Sequence, residues 1–469
     1  MQHKSAYLWG LLGKVAPKAI YLVTTMILAR FLNPDDFGQI GVLSVIFVVA
    51  TVLLESGLGG SLIKEKEITD IDCSTIACFN MFMSISIYII LFFSAPQIEV
   101  YFGIDGLSQV VRTISLVFPI SAFGIVPRSL LQRSVNFHKI FNNFITAYLI
   151  ASAASITAAY LGAGVYSLVL YQIVVNLTLV ILNSIAVKYR FSLNFSYKCL
   201  KKLLPFGLFT SIISVVDTIY ENIMTSMTGK YMNVIQAGYL YQSKKIEETC
   251  SSSLAGTIGT VTFPILTRLK DDVEAFTREA FSTLKYIVSL TYPLLIAVSL
   301  FSKEIIYILF GEKWLDAAFY LDWLIYAGMF MIIETLFRNY VKALCAVKKL
   351  LYATLIKRLL GIAIIVGALM VNADYMIYAY VYSSMLGCLI NVWLYYNITQ
   401  KSLFEISRSI IMLVAPILGV LFAYKTSLCH LPFILQFVIY VAFLFLYYFA
   451  YLKIFGINVL SLTKRKKVK

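Results

Sequence analysis

Ionisable side chains set inside long apolar runs are the residues of this chain whose types and spacing could do chemistry. Each costs about 2.5–3.5 kcal/mol at membrane depth, so each needs a partner, a wet cavity or a function. In the first run Lys14 and Lys18 stand four residues apart on one helix face. Tyr7, Tyr21 and Thr25 extend that stripe, and Pro17 between the lysines can kink the helix. At mid-chain Asp217 and Glu221 repeat the four-residue spacing with acids, on a face shared with Ser214, Thr225 and Thr228. Glu55 stands beside Ser56 and Gly57, while Lys244, Lys245, Glu247 and Glu248 crowd the polar stretch Tyr239–Ser253. Asp322, Glu334 and Arg338 share a later run. Cations so placed suit an anionic group on a substrate. Carboxylates so placed suit H+ or Na+ coupling, because burial can neutralise them. Candidate substrate contacts are therefore Lys14, Lys18, Tyr21, Lys244 and Lys245; candidate coupling or cavity residues are Asp217, Glu221, Glu55 and Glu334. The structural alternative is a set of ion pairs that lock helices. For the two stripes a cavity is favoured, since two spaced charges per helix need continuous polar surroundings rather than one partner.

The elements that must position these groups are membrane helices. Of 469 residues, 60% are hydrophobic and 13% charged, about half the charge of a soluble domain. Windows long enough to cross the hydrocarbon core recur about fourteen times, from 6–29 to 433–455. Basic residues test the count. With the N-terminus inside, the cytoplasmic loops hold Lys64 and Lys66, then Arg190, Lys198, Lys201 and Lys202, then Lys342, Lys348 and Lys349, and the tail adds Lys464–Lys469. The opposite loops Pro96–Leu107 and Val371–Asp374 hold none. The alternation follows the positive-inside rule and places both termini in the cytoplasm. Much of the net charge of +15 is therefore topology and contact with anionic lipids, not nucleic-acid binding. The expected fold is an all-α integral membrane protein. Ser302–Asp316 reads as a short amphipathic helix on the outer surface.

Several chemistries are excluded. The seven cysteines form no C-x-x-C pair and the three histidines are scattered, so no metal site is expected and no cofactor. No P-loop occurs, which leaves ion gradients or the substrate as energy source. Asp70-Ile71-Asp72 spells a sugar-transferase motif without the soluble domain it requires, and Asp271-Asp272 is set aside on the same ground.

One hydrophilic turn organises the rest. Ala29-Arg30-Phe31-Leu32-Asn33-Pro34-Asp35-Asp36-Phe37-Gly38 separates the first two runs. It has an echo at Gly229–Gly238, where Lys230, Tyr231, Met232, Asn233 and Gly238 align with Arg30, Phe31, Leu32, Asn33 and Gly38 at an offset of 200. A first hairpin repeated at mid-length predicts two related lobes: 1–200 with helices 1–6, 201–400 with helices 7–12, and 401–469 with two extra helices and a basic tail.

The turn resembles the R-x-L-x-P-x-D-F-G signature of bacterial polysaccharide transporters. Glu55–Ile63, Leu131–Phe137 and Phe263-Pro264-Ile265-Leu266 resemble further signatures of that family, in the same order over roughly the first 300 residues. The family sits in the multidrug, oligosaccharidyl-lipid and polysaccharide exporter superfamily. The resemblance implies about fourteen helices, two six-helix lobes around a cavity, and no enzyme activity. It implies a flippase in the bacterial inner membrane for undecaprenyl-diphosphate-linked repeat units of O-antigen, colanic acid or capsule. Polysaccharide polymerase and chain-length machinery are then further candidate partners. Lys14 and Lys18 would attract the diphosphate. Arg30 has two readings: it guides release at the outer mouth, or it anchors the turn. A multidrug antiporter of the same fold and a membrane-embedded glycan polymerase are the alternatives.

Overall fold

The computed structural model describes residues 2–55, 62, 68–134, 136–189, 191–192, 194–400, eight scattered positions from 408 to 430, and 432–451. Side chains at 2–15, 55, 202–213 and 252–261 are among those outside the description. Described residues are helical throughout, with no strand among them. The order is α1 Gln2–Phe31, α2 Pro34–Glu55, α3 Asp70–Phe102, α4 Leu107–Ile114, α5 Val117–Arg133, α6 Phe137–Tyr160, α7 Tyr166–Val187 and α8 Tyr197–Tyr231. It continues with α9 Val234–Arg268, α10 Val273–Leu300, α11 Ser302–Phe310, α12 Ala317–Ala343, α13 Val347–Val371, α14 Met376–Thr399 and α15 Phe433–Leu446. Among the described residues nine segments are long and apolar enough to cross a membrane. The chain is a multi-pass membrane protein.

Local chemistry explains the helix ends. Thr69 and Asp72 form a capping box at the start of α3, which satisfies two orphan N–H groups reciprocally. Asp272 caps α10 by accepting from the Glu274 and Ala275 N–H groups, each at 3.0 Å. The acidic pairs that imitate transferase motifs thus start helices. The expected fourth span, 109–130, falls within the apolar segment Leu107–Arg133, which is interrupted at Ser115-Leu116 between α4 and α5.

The residues group into two compact units. The first holds Met1–Ile246, Ile306–Tyr320 and Arg358–Ala379. Its core packs Val42, Leu43, Leu54, Leu91, Val111 and Phe118, with Phe47 stacked on Phe118 at 5.4 Å. The second holds Glu247–Ile305, Leu321–Lys357 and Tyr380–Lys469. There buried tyrosines tie helices together: Tyr292 donates to the Met329 carbonyl and Tyr340 to that of Ala280, both at 2.8 Å. Such bonds matter where lipid supplies no hydrophobic drive between helices. Phe93 at 71% and Met370 at 85% exposure present the apolar surface that lipid covers.

The hairpin turn and its echo belong to the first unit and interlock. A Cβ on Gly38 would meet the backbone carbonyl of Val234, and a Cβ on Gly238 would meet that of Pro34. Residues 34 and 234, like 38 and 238, stand 200 apart, so the two contacts are one contact with the partners exchanged. That is the signature of a local twofold axis, and only glycine permits the approach. Ser226 adds a bond to the Val42 carbonyl at 2.7 Å. The turns cap differently. Asn233 accepts from the Gln236 N–H at 2.8 Å, whereas at the first turn Asp36 accepts from the Asn33 N–H at 2.9 Å. Pro34 opens α2, where its missing N–H costs nothing.

Candidate functional site

α1 ends beside the segment that follows α11, and each supplies what the other end lacks. The last turn of any helix leaves carbonyls without partners. Trp314 Nε1 donates to the Ala29 carbonyl at 3.1 Å. Lys313 Nζ reaches the carbonyls of Leu32 and Arg30. In return Arg30 Nη2 donates to the Ile308 carbonyl at 2.7 Å, in the last turn of α11. Cationic donors at two helix C-termini also meet the negative ends of both dipoles. The result is a reciprocal latch. Phe37 packs edge-on to Trp314 at 5.2 Å, and both are fully buried. Tyr239 donates to the Lys313 carbonyl at 3.2 Å, and Ser243 to that of Ala317 at 2.7 Å. A Cβ at Gly311 would sit 2.9 Å from Arg30 Nη1.

The expected surface helix is therefore α11 with a tight turn at Glu312–Trp314, and its apolar face is buried in protein through Ile306, Phe310 and Trp314. Burial pushes the Lys313 ammonium below the usual lysine range; Asp36 opposes that shift and Arg30 adds to it. Arg30 itself is exposed, and its hydrogen bond to the Ile308 carbonyl is the contact through which it would anchor the turn. Arg30→Lys keeps the charge and loses the planar donor fork. We expect it to lower the melting temperature of the purified protein, in line with the loss of one hydrogen bond worth about 0.5–1.5 kcal/mol. An unchanged melting temperature for Arg30→Lys contradicts the anchoring role.

A second cluster lies deeper in the same unit. Tyr21 of α1 and Tyr241 of α9 share a hydroxyl contact at 3.3 Å. Lys245 Nζ lies over the Tyr241 ring, 5.4 Å from its centroid. Tyr171 stands 5.4 Å from Tyr21 on the other side. The structure thus brings Tyr21 and Lys245 together at Tyr241. Lys18, one turn below Tyr21, is exposed, and Lys244 is buried. The side chains of Lys14 and Glu55 lie outside the described residues.

The acidic candidates separate. Asp217 Oδ1 accepts from Arg358 Nε at 2.7 Å, and the Arg358 guanidinium stacks on Tyr220 at 4.3 Å. Glu221 is half-buried one turn on. In the second unit Glu334 Oε1 meets Lys357 Nζ at 2.7 Å, and each residue is 2% exposed. Asn391 Nδ2 donates to the Glu334 carbonyl at 3.1 Å. Sequence reading passed over both bases. The signal was present: Lys357-Arg358 is a cationic pair set between Leu355-Ile356 and Leu359-Leu360. It also passed over Lys313 and Trp314, which no local pattern ties to residue 29. No cluster of three metal-ligating side chains occurs among the described residues.

Comparison with known proteins bears on this arrangement. The polysaccharide biosynthesis protein family matches residues 27–319. That stretch opens on the turn and closes just past the segment latched to it. An uncharacterized membrane protein in the cps region of Klebsiella pneumoniae is 25% identical over 66% of this chain and 64% of its own length. The lipopolysaccharide biosynthesis protein WzxC of Escherichia coli K12 is 24% identical over 65% of this chain and 63% of its own. The chain spans a little under two thirds of the length of these relatives. Among solved structures, the lipid II flippase MurJ in an inward closed conformation superposes with a TM-score of 0.73 at 15% identity. That match covers 96% of this chain and 100% of the other, and it shows the fold.

Proposed function

We infer the function of this chain from the premise that it belongs to the polysaccharide biosynthesis protein family. It is a flippase that moves undecaprenyl-diphosphate-linked oligosaccharide repeat units across the bacterial inner membrane, with both termini cytoplasmic. The observation that carries this reading is that the family match is bounded by the two halves of the latch. Residues 1–200 and 201–400 act as two lobes that rock about the substrate.

The physical problem is a polar cargo. A diphosphate and a glycan cannot enter hydrocarbon unpaired, because an isolated buried charge costs many kcal/mol. A wet cationic path removes that cost while the lipid tail stays in the bilayer. Lys14, Lys18, Lys244 and Lys245 supply the positive charge, and Tyr21 supplies a hydroxyl and an aromatic face. Arg30 closes the outer end. Asp217, Glu221, Glu55 and Glu334 are the groups through which a proton or sodium gradient would act. Anionic lipids contact the basic cytoplasmic loops, and the polymerase and chain-length machinery receive the product.

The test is leaflet location in a deletion strain. Without the chain, complete lipid-linked units accumulate where external glycan-modifying reagents cannot reach them. Restoring the wild-type gene makes them accessible. Restoring Lys14→Ala with Lys18→Ala recovers at most about a tenth of that, if each lysine contributes one charge-assisted contact. Accessible units in the deletion strain contradict the flippase reading. Full recovery by the double variant removes the basic-site assignment alone.

A further inference from the structure

Beside the echo turn in the first unit lies a cavity of about 240 Å³. Its floor is apolar and closed by the buried side chains of Met224, Leu240 and Ile377. Its rim is different. Phe319 is 47% exposed, Tyr378 stands edge-on to it at 6.5 Å, and the carboxylate-bearing Asp374 is exposed. Both sides of the rim are fixed. Tyr320 donates to Gln236 Oε1 at 2.8 Å, within the turn that follows Asn233. The Asp374 N–H donates to Asn372 Oδ1 at 2.9 Å. Among the described residues no basic side chain lines the cavity.

These features select an occupant. Without a lining cation and with a carboxylate at the mouth, the cavity repels an anionic group, so it is no diphosphate site. A wholly apolar occupant would desolvate Asp374 without giving it a hydrogen bond. A ring with one C–H face and several hydroxyl donors meets both demands. Its apolar face lies against Phe319 and Tyr378 while its hydroxyls donate to Asp374. At about 240 Å³ the space falls below the roughly 300–1,000 Å³ of drug-sized pockets, so it takes one ring. We propose that this cavity is a sugar subsite that holds a single neutral pyranose ring of the transported glycan beside the latch. It deepens the flippase reading and rests on it. It also sets a specificity: uronic acids, which carry their own carboxylate, are excluded from this position.

The probes are methyl hexopyranosides, methyl N-acetylhexosaminides and methyl glucuronide, with purified full-length protein in lipid nanodiscs. Saturation-transfer NMR reads binding, and flipping of the lipid-linked unit is measured on the same preparations. Neutral pyranosides bind, the glucuronide does not, and the lipid-linked unit displaces the pyranoside. Phe319→Ala and Asp374→Asn each weaken pyranoside binding about tenfold, the first by removing the aromatic face under the ring and the second by removing one charge-assisted hydrogen bond. Ala373→Trp, at the mouth, abolishes binding while its melting temperature stays at the wild-type value. Equal pyranoside binding by wild type and all three variants overturns the subsite. So does binding of the glucuronide as well as the neutral sugars, failure of the lipid-linked unit to compete, or absence of pyranoside binding in a preparation that flips. A preparation that binds pyranoside through Phe319 and Asp374 and yet does not flip leaves the sugar subsite standing and removes the flippase reading.

Discussion

Gly38→Leu and Gly238→Leu each reduce flipping roughly 5- to 150-fold, and they do so by nearly equal amounts. At both positions the first added carbon meets a backbone carbonyl, Val234 for one and Pro34 for the other. A flexible side chain could swing aside, but a carbonyl in the first turn of a helix cannot move without the helix. Overpacking of this kind costs typically 1–3 kcal/mol, which weakens the interlock roughly 5- to 150-fold. Because the contacts are related by the local twofold, either substitution separates the same pair of helices. The double variant is therefore little worse than either single one, as expected for coupled neighbours. Flipping by leaf-labelled lipid-linked substrate and thermal melting check this together. Wild-type flipping by either variant, or strict additivity in the double, contradicts the interlock.

Glu334→Gln lowers thermal stability sharply, and so does Lys357→Met. Each leaves a charge facing the place where its counter-ion stood, in surroundings where both groups are nearly fully buried. Breaking one side of a buried pair costs about 3–5 kcal/mol, whereas removing both charges together is often neutral. Glu334→Gln with Lys357→Met therefore regains most of the stability lost by either single variant. That stable double variant separates a coupling role of Glu334 from a structural one. If Glu334 carries the coupling ion, the double variant folds and its transport no longer responds to an imposed proton or sodium gradient. If the pair only locks α12 to α13, gradient-driven transport survives in the double variant and Glu334 leaves the coupling set. Failure of the double variant to regain stability contradicts the pairing itself.

Much of this architecture was legible in the sequence, for reasons that can be named. Apolar windows follow from the solvent the helices meet, so span positions appear without tertiary information. Gly38 and Gly238 align at the offset of 200 because both sites face a carbonyl that tolerates no Cβ. The signature turn was visible as residues but not as a mechanism. Arg30, Phe37 and Gly38 each contact a different partner, at Ile308, Trp314 and Val234, and contacts about 200 to 280 residues apart leave no local period. The same limit hid the fate of Asp217. Its four-residue spacing with Glu221 gave a face, yet the group that meets it is Arg358, 141 residues later. Lys357 and Arg358 are readable as buried charges, but an adjacent pair faces two directions on a helix and forms no four-residue stripe. The break at Ser115-Leu116 was missed because hydropathy runs across it.

We infer that this chain by itself carries a lipid-linked glycan from one leaflet to the other. The most direct measurement reconstitutes the purified protein in sealed liposomes with its undecaprenyl-diphosphate-linked repeat unit confined at first to the inner leaflet. Exposure of the glycan to an impermeant external glycosidase or lectin is followed in time. Wild-type vesicles expose the unit far faster than protein-free vesicles, and Gly38→Leu vesicles do not. Exposure at the protein-free rate by the wild type, in vesicles that hold folded protein, contradicts the claim.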